Sequence, residues 1–109
     1  MNIKKYKSKA AMKILDEIIG RPMTLGSLLS AIREGEELSQ VEFAKKIGIS
    51  KSHLCDIEHD RKAIAPKKAK EYADILGYHP FQFVELAFQQ QIKIMGLKAR
   101  VRLEVKRVA

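Results

Sequence analysis

Apolar residues recur along most of this chain with the 3.6-residue period of a helix, and the period changes once, near residue 97. Ala11, Ile14, Leu15 and Ile18 mark a short helix over 8–19, capped by Ser8 and ended by Gly20 and Pro22. Leu25, Leu28, Leu29 and Ile32 mark a second, starting near Thr24, with Arg33 in its last turn and Gly35 as its stop. Ser39, Gln40, Val41 and Glu42 then spell a capping box, with Leu38 placed to staple onto Phe43. That helix meets Gly48 after Ile47, and Ile49 and Ser50 repeat the device: Ser50 caps a helix over roughly 51–58 and Ile49 staples to Leu54. Two helices are therefore joined by about three residues. Pro66 opens the next, with the stripe Ala69, Tyr72, Ala73, Leu76 and the stop Gly77. Pro80 opens a last one carrying Phe81, Val84, Phe88 and Ile92, ending at Gly96. From Leu97 to Lys106 apolar and charged residues alternate, which predicts a half-buried strand. A single strand in a helical chain needs a ladder partner, most simply its own copy or a strand of another protein.

At 109 residues there is room for one core and an extension, and the 46% apolar fraction is enough to fill it. The expected organisation is a basic arm and accessory helix over 1–23, a central domain over 24–77, and a helix plus strand over 78–109. The net charge of +8 is unevenly spread: residues 1–13 hold five lysines and no acid, and residues 93–109 hold six basic residues against Glu104 alone. Residues 14–92 carry ten basic and twelve acidic residues, so any polyanion-binding surface of the central domain must be local. The chain lacks an apolar run of membrane-spanning length and a signal-peptide-like start, which places the protein in the cytoplasm by expectation. With one cysteine, Cys55, neither an intramolecular disulfide nor a four-cysteine metal site can form.

The pair of helices around Gly48 has the layout of a helix-turn-helix. Ala44 is small, which lets the two helices approach; Gly48 accepts a positive φ in the turn; Ile49, Leu54 and Ile57 hold the second helix at its angle. With Leu54 as the buried direction, Ser52, Asp56 and His59 project nearly opposite the core, flanked by Lys51 and His53. Lys51, Ser52, His53 and Asp56 are the candidate base contacts: Lys51 can donate to guanine O6 and N7, Ser52 to several base edges, and Asp56 can accept from a cytosine amine. Gln40, Lys45, Lys46, Arg61, Lys62 and Lys67 are the candidate phosphate contacts. Cys55 and His59 stand four apart and make half a zinc site with no second ligand pair, so no metal and no cofactor are expected. Glu58 lies one residue past the apolar face and reads as a structural hydrogen-bond acceptor. No nucleophile or second carboxylate is spaced to work with it, and no enzymatic activity is expected. Phe81, Phe83 and Phe88 read as core or dimer contacts.

Over residues 24–77 the chain resembles the Cro/cI-like, Xre-type helix-turn-helix transcriptional regulators. Ser39–Gln40, the Ala44/Gly48 spacing, Ile49–Ser50, Leu54, Ile57–Glu58 and Arg61–Lys62 fall in family register. After Glu58 the family commonly has a small residue or Asn, then Gly, then a basic residue, whereas His59, Asp60 and Arg61 stand here; Asp60 can take the left-handed turn, but its charge opposes a phosphate. The resemblance implies a mainly α, five-helix lambda-repressor-like domain, here with an extra N-terminal helix and the C-terminal β-strand. It implies a sequence-specific transcriptional regulator, an autoregulatory repressor binding a palindromic site in double-stranded DNA, and the unpartnered strand with the apolar helix over 80–95 implies that it acts as a homodimer. The alternative is an antitoxin of the HigA or HipB type, which neutralises a toxin protein through the helix at 8–19 or the strand at 97–106; the basic tails disfavour a basic toxin, and a toxin-like neighbouring gene favours one. A non-specific nucleic-acid binder working through its tails is a third reading.

Overall fold

The structure is a computed structural model that describes residues 23–106. The expected arm and helix at 8–19 lie outside the described residues. Five helices follow in order: α1 (Leu25–Gly35), α2 (Gln40–Ile47), α3 (Lys51–Glu58), α4 (Pro66–Leu76) and α5 (Pro80–Ile94). Each start has a local cause. Thr24 caps α1 by accepting from the Ser27 N–H at 3.0 Å while Ser27 Oγ accepts from the Thr24 N–H at 2.9 Å, a capping box with serine in the usual Glu or Gln place. Ser39 and Glu42 form the expected box at α2, both bonds 3.1 Å. Ser50 caps α3 through the His53 N–H, and Pro66 and Pro80 occupy the first turns of α4 and α5. His79 Nδ1 adds a cap by accepting from the Phe81 N–H at 3.2 Å.

The ends are left-handed turns in which the last carbonyls are satisfied. Gly48 adopts φ 82°, and the Ile49 N–H bonds back to the Ala44 carbonyl, so the chain reverses within three residues between α2 and α3. A side chain at that φ is strained, which is why glycine stands there. α1 ends differently from expectation: Gly35 is the last helical residue, and the left-handed position falls on Glu37 (φ 57°), from which Leu38 bonds back to the Arg33 carbonyl.

The core joins all five helices. It contains Leu25, Leu28, Leu29 and Ile32 of α1, Phe43, Ala44 and Ile47 of α2, Leu54 and Ile57 of α3, Ala69, Tyr72 and Ala73 of α4, Phe83 and Ala87 of α5, and Ile64 from the loop. The stripes expected for α1 and α4 are buried, with Leu76 only partly so. On α5 the buried face is Phe83 and Ala87, with Tyr78 against Phe83 at a ring-centroid distance of 5.9 Å. Phe81 and Phe88 of the expected stripe are exposed. α5 is apolar on two faces, so periodicity alone did not choose between them; the space left by α1 and α4 did.

The expected C-terminal β-strand is absent: no strand forms among the described residues. Instead α5 supplies side chains as partners for the 97–106 backbone. Gln89 Nε2 donates to the Ala99 carbonyl at 2.8 Å, Gln89 Oε1 accepts from the Val101 N–H at 2.6 Å, and Glu85 Oε2 accepts from the Leu103 N–H at 2.9 Å. Residues 85 and 89 rise about 6 Å along the helix, close to the roughly 6.6 Å covered by two extended residues. One carboxylate and one amide thus serve the alternate N–H groups that face α5. Val101 and Leu103 are half-buried while Arg100, Arg102 and Glu104 are exposed, which is the remnant of the alternation seen in the sequence.

Candidate nucleic-acid interface

α2, the turn at Gly48 and α3 hold their relation through the core and through one polar cluster. Glu58, at the end of α3, has its side chain 3% exposed. It accepts from Arg33 Nε at 2.7 Å and Nη2 at 3.2 Å, and from Gln40 Nε2 at 2.9 Å. Arg33 Nη1 also donates to the Leu38 carbonyl at 3.1 Å. α1, α2 and α3 are thereby tied at one point, and the fork geometry suits a guanidinium facing a carboxylate. The hydrogen bond that it donates to Glu58 raises the Arg33 guanidinium above its ordinary range despite partial desolvation. Glu58 is the structural acceptor expected from sequence. Its donors, Arg33 and Gln40, were not foreseen, because a helix-end basic residue and a helix-start glutamine each have a local role that hides a partner 25 or 18 residues away.

The sequence-derived base contacts share α3. Lys51 and Ser52 are exposed in its first turn, and neither side chain bonds to a described residue. His53 is half-buried beside them. Asp56, one turn beyond Ser52, is engaged: its Oδ1 accepts from Arg61 Nε at 2.9 Å. Arg61 Nη2 also reaches Cys55 Sγ at 3.5 Å. The hydrogen bond to Asp56, then that to Cys55, raises the Arg61 guanidinium above its ordinary range. Asp60 adopts φ 57°, the left-handed conformation expected there, and the Arg61 N–H bonds back to the Asp56 carbonyl at 2.8 Å. This reversal brings Arg61 onto α3, a placement linear spacing did not suggest.

The expected phosphate set is dispersed. Gln40 turns its amide inward to Glu58. Lys46 pairs with Glu36 at 2.8 Å, whereas the side chains of Lys45, Lys62 and Lys67 are exposed and bond to no described residue. Cys55 Sγ and His59 Nδ1 are 3.7 Å apart, and His59 Nδ1 lies 2.8 Å from the Cys55 carbonyl. No group of three or more His, Cys, Asp or Glu residues able to hold a metal occurs among the described residues. No described helix is long and apolar enough to cross a membrane.

Two short helices locked at a glycine turn, the second with a polar outer face, define a helix-turn-helix unit. The helix-turn-helix family model matches residues 29–83, and the chain belongs to the Xre-type, Cro/cI-like helix-turn-helix family of DNA-binding transcriptional regulators. It is similar to an immunity repressor protein of Bacillus phage phi105, 49% identical over 55 residues that cover 50% of this chain and 38% of that protein. The chain thus matches well under half the relative's length. No solved structure matches it.

Proposed function

We propose that this protein is a sequence-specific transcriptional repressor that inserts α3 into the DNA major groove and acts as a homodimer on a palindromic operator, its own promoter included. The observation that carries this reading is the outer face of α3, where Lys51 and Ser52 stand exposed and unbonded to described residues on a helix whose other side is locked into the core by Leu54, Ile57 and Glu58. A rigid helix with free donors in its first turn is what base-edge recognition requires. Lys51, Ser52 and His53 face bases. Lys45, Lys62 and Lys67 neutralise phosphates, with Lys46 joining them at the expense of its pair with Glu36 and Gln40 offering its backbone N–H at the start of α2. The similarity to a phage immunity repressor supports repression as the outcome of binding. Exposed Phe81 and Phe88 on α5, continued by Ile94, Met95 and Leu97, supply apolar area for a two-fold interface.

Fluorescence anisotropy tests the reading: the protein is titrated onto its own upstream DNA and onto a scrambled duplex between about 50 and 200 mM salt. A preference on the order of a thousandfold that persists at the higher salt is expected. Coincident curves that collapse together with salt would show that charge alone does the binding.

A further inference from the structure

The sequence casts Asp56 as a reader of cytosine and Arg61 as a phosphate contact; in the structure the two side chains are bonded to each other. Arg61 Nε donates to Asp56 Oδ1 at 2.9 Å and Arg61 Nη2 reaches Cys55 Sγ at 3.5 Å. The guanidinium therefore lies along the second turn of α3, one turn beyond Ser52, on the polar face already proposed for the groove. Its place is set by the backbone as well: left-handed Asp60 reverses the chain, and the Arg61 and Lys62 N–H groups both bond to the Asp56 carbonyl, at 2.8 and 3.3 Å. The Arg61 side chain remains 55% exposed although tethered.

We infer that Arg61 is a specificity-determining residue that reads a guanine through the free end of its guanidinium, and that Asp56 is its positioning residue and not itself a base reader. The chemistry follows from which N–H groups are spent. Asp56 takes Nε–H and Cys55 takes one hydrogen of Nη2, which leaves both Nη1 hydrogens and one Nη2 hydrogen at the tip. Those two nitrogens present the fork that matches guanine O6 and N7. An untethered arginine must lose its side-chain freedom on binding, whereas this one is held before DNA arrives. Pairing also removes the objection to a carboxylate in the groove, since the Asp56 charge is balanced by Arg61 before either meets the negative field of DNA.

This inference rests on the proposed function, and one experiment separates their failures. Duplexes are selected from a random library with the full chain, and affinities are then measured for Arg61→Ala, Arg61→Lys, Asp56→Ala and the double variant on the selected duplex and on each single-base-pair change. Asp56 and Arg61 are surface residues, so all variants should fold; matching circular dichroism and melting confirm it, and Asp56→Asn replaces Asp56→Ala if that one does not. Arg61→Ala should erase the preference for G·C at one base pair, a loss of about ten- to a hundredfold confined to that position. Arg61→Lys should not restore it, because lysine lacks the fork. Asp56→Ala should weaken the same preference, and should change nothing further once Arg61 is Ala. The inference is overturned if Arg61→Ala weakens all duplexes equally and lowers the salt slope by about one, the mark of a phosphate contact. It is equally overturned if Asp56→Ala relaxes a different base pair or acts independently of Arg61. If no sequence is enriched, the proposed function falls and this inference with it.

Discussion

Gly26 in α1 is packed against the Ile57 carbonyl at the end of α3 so closely that a β-carbon on Gly26 would overlap that oxygen and stand 2.7 Å from Asp60 Oδ1. The contact fixes how near α1 comes to α3, and with it the seating of α3 against the core. Gly26 is buried in the first turn of α1, where nothing about the turn itself demands glycine. Its requirement comes from another helix.

Gly26→Ala is therefore expected to destabilise the domain by about 1–3 kcal/mol, the usual cost of overpacking. The sign is diagnostic, because an alanine in place of glycine within a helix otherwise gains up to about 1 kcal/mol. Urea unfolding followed by circular dichroism gives the difference, and an increase in stability would show that the two helices separate at no cost.

Removing the acceptor shared by three helices should cost more. In Glu58→Ala the Arg33 guanidinium, whose side chain is 16% exposed, loses both its bonds to Glu58, and Gln40 loses its one. A loss of about 3–5 kcal/mol is expected from stranding one partner of a largely buried pair. Replacing both members with apolar residues, Arg33→Met with Glu58→Leu, should recover much of it, as thermal unfolding of the single and double variants will report.

The capping box at α2 sets an acid limb. The Ser39 backbone N–H, then the Ser39 hydroxyl, hold Glu42 below the ordinary carboxylate range. A carboxylate whose folded pKa lies below its unfolded value, about 4.3 for Glu, adds stability that is full above the unfolded value and lost as pH falls through the folded one. Glu42→Gln keeps an acceptor but cannot titrate, so the stability difference between the two proteins should narrow as the pH drops below about 4.3. Parallel stability profiles for the two proteins down to the acid transition would exclude a role for this charge.

Phe88 is 42% exposed on α5 beside a core that does not use it. Phe88→Glu should leave the monomer's melting within about 0.5 kcal/mol of equivalence, as for a surface change, while shifting a homodimer to monomer in sedimentation at micromolar concentration. Sedimentation of the original protein as a monomer would remove the dimer from the proposed function.

The helix starts, the glycine turn at Gly48 and the inward faces of α1 through α4 were all legible, because capping, left-handed turns and the 3.6-residue period act between residues five or fewer apart. The polar outer face of α3 was legible for the same reason: once Leu54 points inward, the helical repeat places Ser52 and Asp56 outside. The buried side of α5 and the fate of residues 97–106 depended on neighbours distant in sequence. A helix apolar on two faces is turned by whatever space the other helices leave, and an alternating segment becomes a strand only if a backbone edge lies beside it. Here the side chains of Glu85 and Gln89 took that place. The return of Arg61 onto Asp56 is local, made by the left-handed turn at Asp60, whereas the bonds from Arg33 and Gln40 to Glu58 and the close approach at Gly26 are long-range. Each of these long-range contacts joins groups whose meeting is decided by the angle between helices, and that angle is a property of the packed core that no local pattern carries.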